Sequence, residues 1–240
     1  MQEDNKITDK EFWDNYWSNY QYDSIPQKLV FEKYMPLLTK GNNFIEIGGF
    51  PGLFAAAFYQ RGVKDITILD FYINKEIIRN FETKNNLPEG TIKYIESDFF
   101  DYNSDKKYDI AFSYGFVEHF EDTKDVISRH INLLSKNGKT LILIPNFLGL
   151  NGKIQHKFDK QNLNSHNLKA MDIKFLKEIM QSLRLKSFSV EYIGKPMLWL
   201  EPKPENQSNR KWVKLFSYLI KLFPVKGKFL SPFIAIYAEK

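Results

Sequence analysis

Short, uniformly apolar runs alternate with stretches of helical periodicity along most of the chain. Phe44–Gly48 (FIEIG) reads as a buried strand, and Leu53–Gly62 reads as a helix closed by a glycine. Asp65–Asp70 (DITILD) predicts a second strand, and Lys75–Asn85, with Ile77, Ile78 and Phe81 on one face, a second helix. Thr91–Asp98 and Tyr108–Tyr114 continue as strands three and four, followed by a helix over Thr123–Ser135 and a fifth strand over Lys139–Asn146. Strands that are apolar on both faces and alternate with helices imply a parallel sheet covered on both sides.

The alternation lapses over Phe147–Ala170, a polar stretch carrying His156 and His166, which reads as a long functional connection. A helix over Met171–Leu183 and a strand near Ser187–Ile193 resume the core. Pro196, Pro202 and Pro204 mark a break, an amphipathic helix spans about Arg210–Phe223, and a last strand lies in Pro232–Lys240. Residues 1–40 form a separate piece with Phe12, Trp13, Tyr16, Trp17 and Tyr20. The expected organisation is a cap over 1–40 and a main domain over 41–240, with an insertion at 195–230 before the last strand.

Composition narrows the chemistry. The 240 residues contain no cysteine, which removes disulfides, thiolate metal sites and any cysteine nucleophile. Lys plus Arg exceed Asp plus Glu by 34 − 29 = 5, yet from Lys203 onward eight basic residues face two acidic ones, so the preceding body sums to −1. A polar N-terminus and the lack of a long apolar run lead to the expectation of a cytoplasmic protein.

The stretch with the most chemical content is Glu46-Ile47-Gly48-Gly49-Phe50-Pro51-Gly52, between the first strand and the first helix. Glycines there allow a sharp turn and close backbone approach, and the helix N-terminus favours negative charge. A dinucleotide fingerprint fails, because Phe50 and Leu53 stand where its second and third glycines belong, and no phosphate-loop lysine follows. Asp70 and Asp98 each end a strand, at the edge where doubly wound sheets bind ligands. An acid ending strand two can accept ribose hydroxyls. One after strand three can meet an adenine amino group, with Phe71, Tyr72 and Phe99 offering flat apolar surface.

On Glu46 to Gly52, Asp70, Asp98-Phe99 and the segment FSYGFVEHFED (Phe112–Asp122), the chain resembles the class I S-adenosylmethionine-dependent methyltransferases, in particular their small-molecule, quinone- and sugar-modifying branch. The family's first motif has a glycine where Phe50 stands. The resemblance implies an α/β, Rossmann-like, doubly wound sheet of seven strands in order 3-2-1-4-5-7-6 with strand seven antiparallel. It carries an N-terminal helical cap and a C-terminal helical insertion. It implies S-adenosyl-L-methionine as cofactor, held by Glu46, Gly48, Gly49 and Gly52 at the methionine part. Asp70 would lie at the ribose, Asp98 and Phe99 at the adenine with Phe71 as further flat surface, and Ser113 and Tyr114 beside the sulfonium.

Methyl transfer to a hydroxyl needs a positioned base. Glu118 and His119, after strand four, and His166, in the long connection, are the candidates; His130 shares a face with Val126 and Ile127 and reads as structural. No His/Asp/Glu spacing in the sequence argues for a metal. The expected acceptor is a small molecule, such as a sugar or another hydroxylated metabolite. An RNA acceptor is favoured by the net charge and disfavoured by the neutral body, and DNA is not expected. A non-catalytic cofactor-binding module of the same fold is the alternative from outside enzymology. The stripe Trp212, Leu215, Phe216, Leu219, Ile220 and Phe223 is expected to pack on the sheet; contact with an anionic membrane is the competing reading.

Overall fold

The computed structural model describes residues 6–8, 13, 17, 24–201, 203, 206–223 and 225–240. Phe12, Tyr16, Tyr20, Pro202 and Pro204, which the sequence singles out, lie outside the described residues. Seven strands form one sheet: β1 (Asn43–Ile47), β2 (Asp65–Asp70), β3 (Ile92–Glu96), β4 (Tyr108–Tyr114), β5 (Leu134–Pro145), β6 (Ser187–Ile193) and β7 (Phe233–Glu239). Their order is β3-β2-β1-β4-β5-β7-β6, the expected one. β1 to β5 pair in parallel, whereas β7 runs antiparallel to both β5 and β6.

Alternate residues of the central strands feed two cores, as a sheet covered on both faces requires. On one face Ile45, Ile47, Ala111, Ile142 and Ile144 meet the helices Thr123–Asn132 and Ile173–Ser182 through Val126, Ile127, Leu176 and Met180. On the other, Phe44, Ile66, Ile68, Phe112 and Leu143 meet Ala55–Phe58, Phe81 and the segment Leu29–Leu38. Helices begin where the local chemistry dictates. Asn74 accepts from the amides of Glu76 and Ile77 to open Lys75–Asn85, Asp122 opens Thr123–Asn132, and Asp172 opens Ile173–Ser182.

The polar stretch after β5 is helical rather than a long loop: Leu150–Phe158, Lys160–Asn164 and a tight turn over Leu168–Met171. Its polar residues are used internally, which hydrophobic periodicity does not reveal. Asn151 and Gln155 are buried and donate to the backbone carbonyls of Met197 and Trp199, and Asp159 caps Lys160–Asn164.

Between β6 and β7 runs the helix Gln207–Ile220, here α1. The expectation that its apolar stripe packs on the sheet is corrected by the fold. Val213 and Ser217 are its buried residues, and Trp212, Leu215, Phe216 and Leu219 are all at least half exposed (63%, 50%, 58% and 52%).

Candidate active site

Register brings the site together. Ile47 of β1 pairs with Leu69 of β2 and with Ser113 of β4, so the residues that follow these positions share one edge of the sheet. The turn after β1 starts from Gly48, whose amide donates to the Leu69 carbonyl at 2.9 Å. Gly48 has φ +65°, and a Cβ there would collide with the Phe116 ring, so both backbone conformation and space demand glycine. Gly52, at φ +112°, is the residue from which the helix Leu53–Gln60 starts. Gly49 lies directly over the Glu46 side chain.

Three carboxylates lie at this edge, and each accepts a backbone amide. Glu46 is buried behind the turn and accepts from Ala55 at 2.8 Å, holding the first turn of the helix. Burial, together with the nearby Asp70 charge, pushes its carboxyl up to about 8. Asp70 accepts from Phe50 (3.1 Å) on one oxygen and from Tyr72 (3.0 Å) on the other. Burial raises it to about 6, and those amides oppose the rise. Asp98, just beyond β3, accepts from the Phe100 amide at 2.9 Å and pairs with Lys6. Phe71 is half-buried beside Asp70, while Phe50, at the position that departs from the family motif, packs edge-on against Tyr72 and Trp17.

The other three expected cofactor contacts turn inward. Phe99 is buried, its ring packed against Phe116 and His130. Ser113 is buried, and its hydroxyl lies 3.0 Å from His130 Nε2. His130 Nδ1 donates to the Val126 carbonyl at 2.8 Å, so Nε2 accepts from Ser113; burial holds this imidazole neutral, near 4, in the expected structural role. Tyr114 packs against Phe54 and Phe233 on the opposite face.

The candidate bases converge, although 46 positions separate His119 from the Ser165 carbonyl it meets. Glu118 and His119 lie on the tight turn Val117–His119 after β4, and His166 follows the helix Lys160–Asn164. Donor atoms of Glu118, His119 and His166 all lie within 4.8 Å of one another. His119 Nδ1 donates to the Ser165 carbonyl at 2.9 Å and His166 Nδ1 to the Asn162 carbonyl at 2.6 Å, which leaves both Nε2 atoms as acceptors. Burial and the neighbouring His166 push His119 down to about 3, and burial lowers His166 as well. Glu118 is 1% exposed, and neither of its carboxyl oxygens has a hydrogen-bond partner among the described residues. Burial lifts it to about 8. His156, on Leu150–Phe158, is exposed and takes no part.

Sequence reasoning missed the contacts that Phe116, Ser165, Asn162, Lys6 and Ile7 supply, although it singled out Trp13. Phe116 walls the glycine turn, and the carbonyls of Ser165 and Asn162 fix the imidazole tautomers. Lys6 reaches Asp98, while the Ile7 amide donates to the His119 carbonyl at 2.9 Å and the Trp13 ring stands edge-on to His119. Lys6, Ile7, Trp13 and Trp17 therefore rest on loops at the carboxyl ends of β1, β3 and β4. Backbone carbonyls carry no sequence signature. Phe116, by contrast, was visible in the aromatic spacing of FSYGFVEHF.

A family profile described as a methyltransferase domain matches residues 16–186, well over half of the chain. Among curated proteins none matches the sequence significantly. Solved structures share the fold at low identity. A SAM-dependent methyltransferase from Archaeoglobus fulgidus is 20% identical with a TM-score of 0.57, covering 87% of this chain and 90% of its own. The plantazolicin methyltransferase BpumL, bound to a monoazolic desmethyl-plantazolicin analogue and SAH, is 14% identical with a TM-score of 0.56 (88% and 81% covered). An S-adenosylmethionine-dependent methyltransferase from Mesorhizobium loti is 11% identical with a TM-score of 0.53 (88% and 98% covered).

Proposed function

The chain belongs to the class I S-adenosylmethionine-dependent methyltransferases, and from that premise we propose that it methylates a hydroxyl of a small-molecule acceptor held beside Glu118, His119 and His166. The observation that carries the acceptor site is Glu118: a buried carboxyl with no hydrogen-bond partner among the described residues marks where a ligand's polar group belongs. A sugar or another hydroxylated metabolite supplies such groups.

The cofactor residues fit S-adenosylmethionine. The Gly48–Gly52 turn gives bare backbone for close approach, and Asp70 keeps lone pairs for two ribose hydroxyls beyond the amides it already accepts. Asp98 stands where the adenine edge would lie. Glu46 serves by holding the turn and the helix behind it, and Ser113 by fixing the end of β4 through His130. When bound, S-adenosylmethionine supplies an electrophilic methyl group on a sulfonium.

The chain's own part is orientation and proton removal. His119, neutral and with Nδ1–H pinned on the Ser165 carbonyl, presents the Nε2 lone pair to an acceptor O–H and takes its proton as the carbon–oxygen bond forms. His166 presents the same atom from the other side. Glu118, protonated below about pH 8, hydrogen-bonds a second oxygen of the acceptor. Trp13 and Phe147 close the apolar walls around the two imidazoles.

A second reading rests on the same three side chains. One carboxylate and two imidazoles with backbone-oriented Nδ1–H groups are a donor set suited to a divalent cation. Transfer of labelled methyl to a panel of sugars, phenols and other hydroxylated metabolites, with and without chelator, separates the readings. Chelator-resistant transfer supports the base mechanism, and loss restored by a divalent ion supports the cation. Transfer only to RNA overturns the small-molecule acceptor, and cofactor binding without any transfer across RNA and metabolites favours the non-catalytic module.

A further inference from the structure

The helix α1 has two apolar faces, and the protein core uses only one. Its inner face is anchored by Val213, by Ser217, whose hydroxyl accepts from the Leu198 amide at 3.0 Å, and by Arg210, whose Nε donates to the Leu200 carbonyl at 3.1 Å. The helix is therefore held by specific contacts and its outer face is presented in a fixed direction. That face carries Trp212, Phe216, Leu219 and Phe223 at helical spacing, each more than half exposed. Leu222, at 80%, and Phe229, at 55%, extend it beyond the helix end. An exposed apolar patch of this extent marks an interaction surface.

The charge around the patch says what covers it. Between Asn206 and Ala238 the chain has six basic residues, Arg210, Lys211, Lys214, Lys221, Lys226 and Lys228, and no acidic one. At 100° per residue Lys211, Lys214 and Lys221 fall along one border of the exposed apolar arc. A second copy of the chain would bring like charges together. Protein interfaces favour Arg and are depleted in Lys, whereas here five of the six are Lys. Bulky apolar side chains flanked by lysines match a surface with an acyl interior and anionic headgroups.

We propose that the outer face of α1, with residues 221–223 and 225–229, docks this protein on the surface of an anionic phospholipid bilayer. No described helix is long and apolar enough to cross a membrane, so α1 lies in the interface plane. The docked face connects to the acceptor side of the cleft. α1 packs on Leu198–Leu200, Trp199 stacks on Phe233 and lies 5.5 Å from Phe147, and Phe147 stands edge-on to His166. Docking thus places the His119/His166 side near the bilayer, where an acceptor carrying a lipid anchor is found; this last step rests on the reading of that cluster given above.

Co-sedimentation with vesicles tests the proposal, using equal parts phosphatidylglycerol and phosphatidylcholine against phosphatidylcholine alone. The full-length protein is expected to bind the anionic vesicles at low salt and to lose much of that binding at moderate salt. Trp212→Ala/Phe216→Ala should weaken it at least tenfold. Lys211→Glu/Lys214→Glu/Lys221→Glu should weaken it by about a hundredfold or more, at roughly fivefold for each lysine lost. Both variants should keep the wild-type affinity for S-adenosylmethionine, which reports folding and separates failure here from failure of the methyltransferase reading. Absence of binding to anionic vesicles at low salt overturns the proposal. So does unchanged binding by the apolar variant, or a concentration-dependent dimer in analytical ultracentrifugation that the same substitutions abolish.

Discussion

The two proposed halves of the site treat their carboxyls in opposite ways. On the cofactor side Glu46, Asp70 and the partly exposed Asp98 each accept at least one backbone amide, and the first two organise the glycine turn and the helix behind it. On the acceptor side Glu118 is as deeply buried as Glu46 and has no such partner among the described residues. Burial raises both to about 8, but one is a structural acceptor and the other is an unmet demand. Desolvation alone therefore does not separate scaffold from site. Hydrogen-bond satisfaction does, because an unpaired buried polar group costs roughly 1–3 kcal/mol unless a ligand supplies the missing bond.

The largest expected effect lies on the cofactor side. Gly48→Val puts a β-branched residue at φ +65° against the Phe116 ring, and S-adenosylmethionine binding should fall by more than about a hundredfold. Circular dichroism checks that the sheet survives, and calorimetry reads the binding. Normal affinity in a folded variant would mean that the turn only packs helix on strand.

Next in size, His119→Ala should lower turnover by ~10²-fold while cofactor affinity stays within about twofold of wild type. His166→Ala should act in the same direction. Full turnover in both variants, measured by labelled-methyl transfer, would remove the base assignment and leave positioning as the whole of the contribution.

The smallest effect sharpens the contrast between the two buried glutamates. An unfolded chain releases these protons near 4.5, whereas folded Glu46 and Glu118 hold theirs to about 8. The folded state therefore binds more protons over that range, and stability falls as pH rises. The buried histidines work the other way, His119 to about 3 and His130 to about 4, but their opposing effect ends near 6.5, the unfolded value. Between about pH 6.5 and 8 the decline should be uncovered in urea titrations of the cofactor-free protein. Glu118→Gln should remove roughly half of it. An unchanged slope would place Glu118 in a less desolvated site than its burial indicates.

Legibility in the sequence follows the same division. The alternation of strands and helices and the glycine turn could be read because strand, turn and helix are contiguous, and because acids ending β2 and β3 fall at a fixed place in a doubly wound sheet. The strand order came from the family resemblance. Glu118, His119 and His166 were each visible as residue types, but their meeting depends on Lys160–Asn164 folding back over the end of β4. The buried Asn151 and Gln155 of the preceding helix, Leu150–Phe158, looked like solvent-exposed loop. The outer face of α1 was misjudged for a related reason: helical periodicity reports an apolar stripe but not whether the protein has anything to put against it. The inward turn of Ser113 and Phe99 was hidden because their partner, His130, lies on the following helix and satisfies Ser113 where a ligand was expected to.

The most direct test of the division is calorimetric titration of S-adenosylmethionine into wild type, Asp70→Ala and Glu118→Gln. Loss of charge-assisted hydrogen bonds should weaken Asp70→Ala by about ten- to a hundredfold, whereas Glu118→Gln should bind as wild type does. Wild-type affinity in Asp70→Ala, or an equal loss in Glu118→Gln, would contradict the assignment of these two carboxyls to separate halves of one cleft.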